Sequence, residues 1–581
     1  MPGKSPERGR EARPAAGRTL FDEADELSLQ VPTSCRRTGR CRECVVEVTA
    51  GAEHLSPPSP PESFLRPPFR LACQAEPHPP DAAVEFQVVR RRLRIVTPEP
   101  ERRTAPVEPM VRAEGGVVRW GDEEIERLRG GVHGLAIDVG TTTVVLELVD
   151  LQSGRTLELV ALENPQRFGG SDVMNRISYD SGPGRGELRH SLRKGLNHEL
   201  RALYGRHGID RREVYEIVVV GNSTMRDIFF GLDVAPIGER PYKSTTELEL
   251  LEGARPSTEL VALAHELGLW SHPQARVWGA PLVAGHVGAD VAADLIAAGF
   301  VDRSGAGHAR PLAHDVDRSG AGHARPLAHD GDRPDGVTML VDVGTNTEVV
   351  LAGRGRMLAA SCPAGPAFEG GEVTYGMQAG EGAIESVRTR PDGSFDCDVI
   401  GAGEARGLCG SGLVDLLAEL RRSGRMTPKG VFADRAREVA VVPEAGITLS
   451  RADGSALAQA KAANSVGQQV LLRELGVGAG EIDRLYLAGG FARYVDVPNA
   501  VEIGFLAPVP AERVVKLGNA SLRGARELLL SVPARRELEL LIRGVEHMEL
   551  ETAPDFFDLF VDGCQFKPLP GSGTGDGSLA A

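Results

Sequence analysis

The chain has 581 residues, 41% of them hydrophobic, a formal net charge of −15 and a sequence pI of about 5.5. That is enough apolar content for several cores, so three or four domains are expected. The acidic balance argues against a general nucleic-acid binder, which carries a basic face. No run approaches the roughly 18 apolar residues of a membrane span, and the start has no signal core. The expectation is a cytoplasmic protein without nucleic-acid or membrane partners.

Residues 1–18 are polar and rich in Gly, Pro and Arg, and read as a flexible tail. Helical spacing follows at Leu20, Phe21, Ala24 and Leu27. Eight cysteines are too few for a disulfide scaffold in so long a chain, but four lie close together: Cys35, Cys41, Cys44 and Cys73, spaced C-x5-C-x2-C-x28-C. The strand Val45–Val48 follows the third, and Arg70-Leu71-Ala72-Cys73-Gln74 surrounds the fourth. The spacing resembles the C-x4-C-x2-C…C of plant-type [2Fe–2S] ferredoxins, with the longer first gap of the adrenodoxin-like branch. The resemblance implies a ferredoxin-like domain over 19–96, with these four cysteines as cluster ligands. Structural zinc is the alternative reading, although zinc sites usually use two C-x2-C knuckles and Cys73 stands alone. Arg36, Arg37 and Arg40 occupy a cluster loop that is normally glycine-rich, leaving only Gly39. Extra positive charge favours the reduced cluster, so a potential above about −400 mV is expected.

Phe86–Val96 reads as the closing strand, and the Pro- and charge-rich stretch 97–131 as a linker with a short helix near Glu123–Leu128. Gly134–Val149 then reads as strand, tight turn and returning strand, with Asp138 just before Gly140-Thr141-Thr142-Thr143. Backbone N–H groups and hydroxyls in such a turn can wrap a phosphate while the carboxylate holds a hydrated Mg²⁺. Gly221-Asn222-Ser223-Thr224-Met225 is a strand-to-helix turn, read equally as a phosphate turn or a plain N-cap. Pro281–Gly299, studded with Gly285, Gly288, Ala289, Ala292 and Ala293, reads as one close-crossing helix. Residues 301–315 and 316–330 are identical, VDRSGAGHARPLAHD. The duplication, within an insertion set at 301–336, reads as a solvent-exposed loop rather than a folded array, which needs at least about three units.

The hairpin recurs at Gly336–Leu351, where Asp342 precedes Gly344-Thr345-Asn346-Thr347. A third element, Leu485-Tyr486-Leu487-Ala488-Gly489-Gly490-Phe491, delivers an apolar strand into a Gly-Gly turn that a backbone can bring close to an adenosine. Gly407-Leu408-Cys409-Gly410-Ser411-Gly412 opens an amphipathic helix, and Cys409, without a paired base, reads as packing. Two matched hairpins and a late Gly-Gly turn resemble the acetate and sugar kinase, heat-shock-70 and actin superfamily. The resemblance implies an α/β, RNase H-like ATPase whose lobes cover 132–300 and 337–567, with a tail at 568–581. The whole is then multidomain, an α+β ferredoxin-like (β-grasp) domain fused to that two-lobed ATPase.

Asn164-Pro165-Gln166, GNSTM, Pro363-Ala364-Gly365-Pro366-Ala367-Phe368-Glu369-Gly370-Gly371, GLCGSGL, LAGGF and Gly518-Asn519-Ala520 occur in that order. Together with the cysteines they resemble the reductive activators of corrinoid proteins. That resemblance implies one-electron transfer from a [2Fe–2S] cluster to Co(II) of a corrinoid protein or corrinoid-dependent methyltransferase, driven by ATP and Mg²⁺ and supplied by an external low-potential donor. It also implies Asp138 and Asp342 for Mg²⁺ and the attacking water. Gly140, Thr141, Thr142, Thr143, Gly344, Thr345, Asn346, Thr347, Gly410 and Ser411 then surround the phosphates, and Gly489 and Gly490 back the adenosine. A homodimer is left open. The rival readings are a metabolite kinase with a fused redox sensor, and an activator of a radical acyl-CoA dehydratase.

Overall fold

The computed structural model describes residues 18–571 apart from 28, 30, 80–81, 90–91, 94–105, 301–335 and 402. The tandem duplication therefore lies outside the described residues, as do residues 1–17 and 572–581 of the expected tails.

The first lobe is built on a seven-stranded sheet in the order Leu260–Leu263, Arg276–Gly279, Val214–Val220, His133–Val139, Thr143–Asp150, Thr156–Glu163, Arg92–Leu93. The second has six strands in the order Val514–Gly518, Ile482–Ala488, Val337–Val343, Thr347–Gly353, Arg356–Cys362, Val545–His547. Each sheet centres on an antiparallel meander whose first strand pairs in parallel with a later one: Val220 opposite Asp138, and Ala488 opposite Asp342. The central strands are apolar on both faces because helices cover both. This repeat bears out the two-lobed α/β expectation, and it puts both aspartates at the ends of corresponding strands.

The lobes meet through two small-residue helices, Ala289–Ala297 and Ala520–Leu530. A Cβ on Gly524 would lie 1.9 Å from the Ala293 carbonyl oxygen, so only glycine permits this crossing. The helix at 289 is shorter than the sequence suggests, since Pro281–Gly288 form an irregular approach. The glycines there serve contact instead of helix: a Cβ on Gly285 would strike the Tyr242 carbonyl at 2.1 Å, and one on Gly288 the Asn222 Cα at 2.5 Å.

The N-terminal domain has a capped helix, Leu20–Glu26, and a three-stranded sheet in the order Phe69–Leu71, Val45–Ala50, Glu85–Val88. The expected closing strand is divided. Glu85–Val88 closes this sheet, whereas Arg92–Leu93 pair with Leu162 and Ala161 at the edge of the first lobe. The expected linker is likewise structured, for Val111–Glu114, Val117–Trp120 and Glu123–Arg127 form an antiparallel sheet. The helix expected near Glu123 is its third strand. Gly115, Gly116 and Gly121 supply positive φ at its turns, a hairpin cue that the surrounding charge obscured.

Replacing Gly524 with Ala sets two effects against each other. Helix propensity favours Ala by about 1 kcal/mol, whereas overpacking a fitted contact costs about 1–3 kcal/mol or more. With backbone as the obstacle, overpacking is expected to win. Denaturant unfolding should show Gly524→Ala less stable than the parent, and a stabilised variant would contradict this crossing.

Candidate functional site: a cysteine loop and a two-hairpin cleft

The cysteine loop is shaped by left-handed backbone. Arg36, Arg37, Gly39 and Arg42 all have φ between 56° and 76°, so arginines take conformations usually given to glycine at about 1–2 kcal/mol each. The turn points backbone and side-chain donors at sulfur. The Ser34 N–H lies 3.5 Å from Cys41 Sγ, and the Gln74 Nε2 3.4 Å from Cys73 Sγ. Cys44 and Cys73 have sulfurs 3.3 Å apart. Burial pushes the Cys35 thiol up, but bonds from the Thr38 hydroxyl and from Cys41 outweigh it and bring it down to about 6. Cys73 also falls to about 6, chiefly through the Cys44 thiol, while the same bond and burial raise Cys44. Two close pairs among sulfur-directed donors suit a two-iron cluster, whose four ligands are thiolates. Among the described residues no three His, Cys, Asp or Glu side chains are arranged around a single metal ion.

The loop arginines do not all act as free charge. Arg37 pairs with Asp22 at 2.7 Å and with Asp25 and lies over the Phe21 ring, and Arg42 pairs with Glu187. Any upward push on the cluster potential expected from this loop is therefore left to Arg36 and Arg40. The loop is fastened to the first lobe's helix Glu187–His207 at residues next to the ligands. The His190 ring lies 3.2 Å from the Cys41 carbonyl, and Lys194 reaches Glu43 at 2.9 Å. Phe64 meets Phe168 edge-on at 5.6 Å, and the Tyr179 hydroxyl donates to the Phe64 carbonyl.

At the cleft, the hairpin turns of the two lobes face each other. The hydroxyls of Thr142 and Thr345 are 3.1 Å apart, and Gln378 donates to the Thr143 hydroxyl at 3.3 Å. Supporting polar residues hold the first turn. Asn164 donates to the Gly140 carbonyl at 2.8 Å and Asn222 to the Thr141 hydroxyl at 2.9 Å. Asn222 also caps its helix, accepting from the Met225 N–H, which is the N-cap reading of GNSTM. In the second turn, Gly344 N–H donates to the Asn346 carbonyl at 3.1 Å, and the buried Thr347 hydroxyl has no partner among the described residues. Gly489 has φ 113°, and a Cβ there would lie 2.1 Å from the Val343 carbonyl. The Gly-Gly turn is thus pressed against the second hairpin. Gly490 has open space. Gly410 packs under Phe368 and Phe491, and Ser411 is buried against Cys409.

Asp138 and Asp342 sit in a crowd of carboxylates that sequence reasoning only partly found. Asp290 and Asp294, one turn apart on the crossing helix, join them with Glu348 and Glu369. Burial, then the negative charges of Asp290 and Asp342, holds Asp138 well above the usual carboxylate range. Burial and Asp342 take Asp290 to about 7. Burial, eased by a bond with Asp294, leaves Asp342 at about 6. Asp294 and Glu348 are raised by burial and by the same neighbours. Asp294 accepts from Ser521 at 3.1 Å, but its other oxygen has no partner among the described residues. Like charges this close are stable only if protonated or neutralised by a cation. Among the described residues no three of these side chains are arranged around one ion, so they would meet a Mg²⁺ singly or in pairs, alongside water and phosphate oxygens. The spacing of Asp290 and Asp294, i and i+4 on a helix otherwise built of apolar residues, was the available cue.

Fold and site together define an ATP-using enzyme of the acetate and sugar kinase, heat-shock-70 and actin class joined to a [2Fe–2S] domain. Three family models match: a 2Fe-2S iron-sulfur cluster binding domain over 5–78, the RACo middle region over 133–303, and the C-terminal domain of RACo, its ASKHA domain, over 336–570. The chain belongs to this family of reductive activators of corrinoid proteins. It is 28% identical over 464 residues to the corrinoid activation enzyme RamQ of Eubacterium limosum, covering 75% of this chain and 70% of that protein. It is 24% identical to a [Co(II) methylated amine-specific corrinoid protein] reductase of Methanosarcina barkeri, covering 74% and 76%. A solved reductive activator for corrinoid, iron-sulfur protein superposes with TM-score 0.66 at 25% identity, covering 95% of this chain and 96% of that one. Among the described residues no helix is long and apolar enough to cross a membrane.

Asp290 and Asp342 ionise well above the roughly 3.9 of a free Asp. The folded protein therefore binds more protons than the unfolded chain between those values. Their stabilising contribution is complete below about pH 4 and is lost as pH rises through about 6 to 7. With chelator present, the melting temperature should fall more steeply over that window in the parent than in Asp290→Asn, and Mg²⁺ should flatten the fall. Equal slopes in parent and variant would contradict the carboxylate crowding.

Proposed function

We propose that this protein is an ATP-dependent reductive activator that passes one electron from a [2Fe–2S] cluster to Co(II) of a corrinoid protein, restoring the Co(I) state for methyl transfer. The observation that carries the reading is a physical connection: the cysteine loop is tied, beside its ligands, to the same lobe that presents Thr142 to the second hairpin. A change at the hairpins therefore has a packed route to the redox end.

When bound, the cluster supplies a one-electron carrier held by Cys35, Cys41, Cys44 and Cys73. Reduction of Co(II) to Co(I) from an ordinary ferredoxin runs uphill, and each ~59 mV of mismatch costs about a factor of ten for one electron. ATP assists only by favouring a state, with the corrinoid partner bound, in which cobalt is easier to reduce. Asp138 and Asp342 would hold Mg²⁺ as one or two direct carboxylates, with water and phosphate oxygens completing the set and Asp290 and Asp294 beside them; the ion supplies charge neutralisation for a phosphate. Thr141, Thr142, Thr143, Thr345, Asn346 and Thr347 orient the phosphate chain with their hydroxyl, amide and backbone groups. Gly490 would leave room behind the adenosine, and Gly489 lets the turn press against the second hairpin. The corrinoid partner is supported by the names of the relatives above; the external low-potential donor and the cytoplasmic location belong to the same proposal.

The test is anaerobic purification, dithionite reduction and EPR at liquid-nitrogen temperature, alongside an ATPase assay. The reading expects a rhombic S = 1/2 signal that Cys41→Ala abolishes, and ATP hydrolysis that Asp342→Asn lowers by at least about 100-fold, the scale of losing an electrostatic catalytic group. A silent spectrum with bound zinc would remove the electron-transfer reading. Unchanged hydrolysis in Asp342→Asn would remove the assignment of the cleft.

A further inference from the structure

The two hairpins are joined by a side chain that neither contains. Glu369 lies on the short 3₁₀ turn Ala367–Glu369 of the second lobe. Its Oε2 accepts from the Thr142 hydroxyl at 2.8 Å and from the Thr345 hydroxyl at 2.5 Å. A carboxylate only accepts, so it commits the single proton of each hydroxyl to itself. Thr142 belongs to the first lobe and Thr345 to the second, so this one carboxyl group clasps both turns. A phosphate oxygen offered between the hairpins would make the same demand on the same two hydroxyls.

We propose that Glu369 is the residue by which this site distinguishes a nucleoside triphosphate from a diphosphate. Its carboxylate holds the two threonine hydroxyls that the terminal phosphate must take, so a triphosphate displaces it and a diphosphate leaves it in place. The inference rests on the reading of the hairpins as a nucleotide site. The surroundings support competition over coexistence. Glu369 is half-buried, and its charge already helps to raise Asp342 and Glu348. A terminal phosphate added beside it would place two anions together where water screens them poorly. The displaced side chain also has a consequence. Phe368, the preceding residue, stacks on Phe491 at 6.3 Å and meets Phe505 at 5.0 Å, so the turn carrying Glu369 is packed against the residue that follows Gly489 and Gly490. Exchange of carboxylate for phosphate is thereby felt both across the lobes and at the adenosine wall.

The test is calorimetric titration of the cluster-loaded full chain, with Mg²⁺, by a non-hydrolysable ATP analogue and by ADP. Glu369→Gln keeps the side-chain volume and removes the charge; Glu369→Ala removes both, and thermal unfolding checks that each is folded. Releasing two hydroxyls from a charged acceptor is expected to tighten the triphosphate analogue at least about tenfold, more in Ala than in Gln, with ADP changed by less than about twofold. Equal changes for both nucleotides, or weaker triphosphate binding in the variants, would overturn the proposal while leaving the nucleotide site intact. If the parent chain binds neither nucleotide, the reading of the hairpins falls, and this proposal with it.

Discussion

The arrangement depends on the cost of bringing carboxylates together at the floor of the cleft. Asp138 and Asp342 arrive there because each ends the first strand of a repeated meander. Asp290 and Asp294 arrive because a helix with Ala289, Ala292, Ala293 and Ala297 can approach closely enough to bring its acidic residues near them. Without a compensating cation this is a poor place to ionise, as the upward shifts of all four aspartates indicate. On the function proposed above, a dication with a phosphate chain would turn the same crowd into a binding energy. The lobes therefore have a reason to respond to Mg²⁺ and nucleotide that no apolar seam would give.

What the redox end adds is attachment. A cluster domain on a flexible tether would move independently of the ATPase. Here its core continues into that of the first lobe, its last segment adds a strand to that lobe's sheet, and its cysteine loop is held by His190, Glu187 and Lys194. The same loop tolerates three arginines in left-handed backbone. Ion pairs from Arg37 and Arg42 to the helices on either side offset that strain.

Much of this was legible in the sequence because it is local. The cysteine spacing, the two hairpins and the Gly-Gly turn each lie within a few residues, and their order identified the fold. The misses were non-local. Val117-Val118-Arg119-Trp120 alternates too briefly among charges to read as strand, and becomes one only when flanked by its two partners. Gly285 and Gly288 resemble helix-crossing residues, yet they are required by the approach of Tyr242 and Asn222 from distant segments. Glu369 sits in a quoted motif, but its bond to Thr142 spans 227 positions, a contact no periodicity announces. Asp290 and Asp294 were visible only as charges on an otherwise apolar helix.

The central claim is that nucleotide at the cleft controls reduction of a corrinoid at the far end of the same chain. The most direct measurement is anaerobic visible spectroscopy of a Co(II) corrinoid protein mixed with the reduced, cluster-loaded chain and Mg²⁺. The account predicts the Co(I) spectrum on adding ATP and little of it with ADP or without nucleotide. Co(I) appearing to the same extent without nucleotide, or failing to appear with ATP while the cluster is fully reduced, would contradict it.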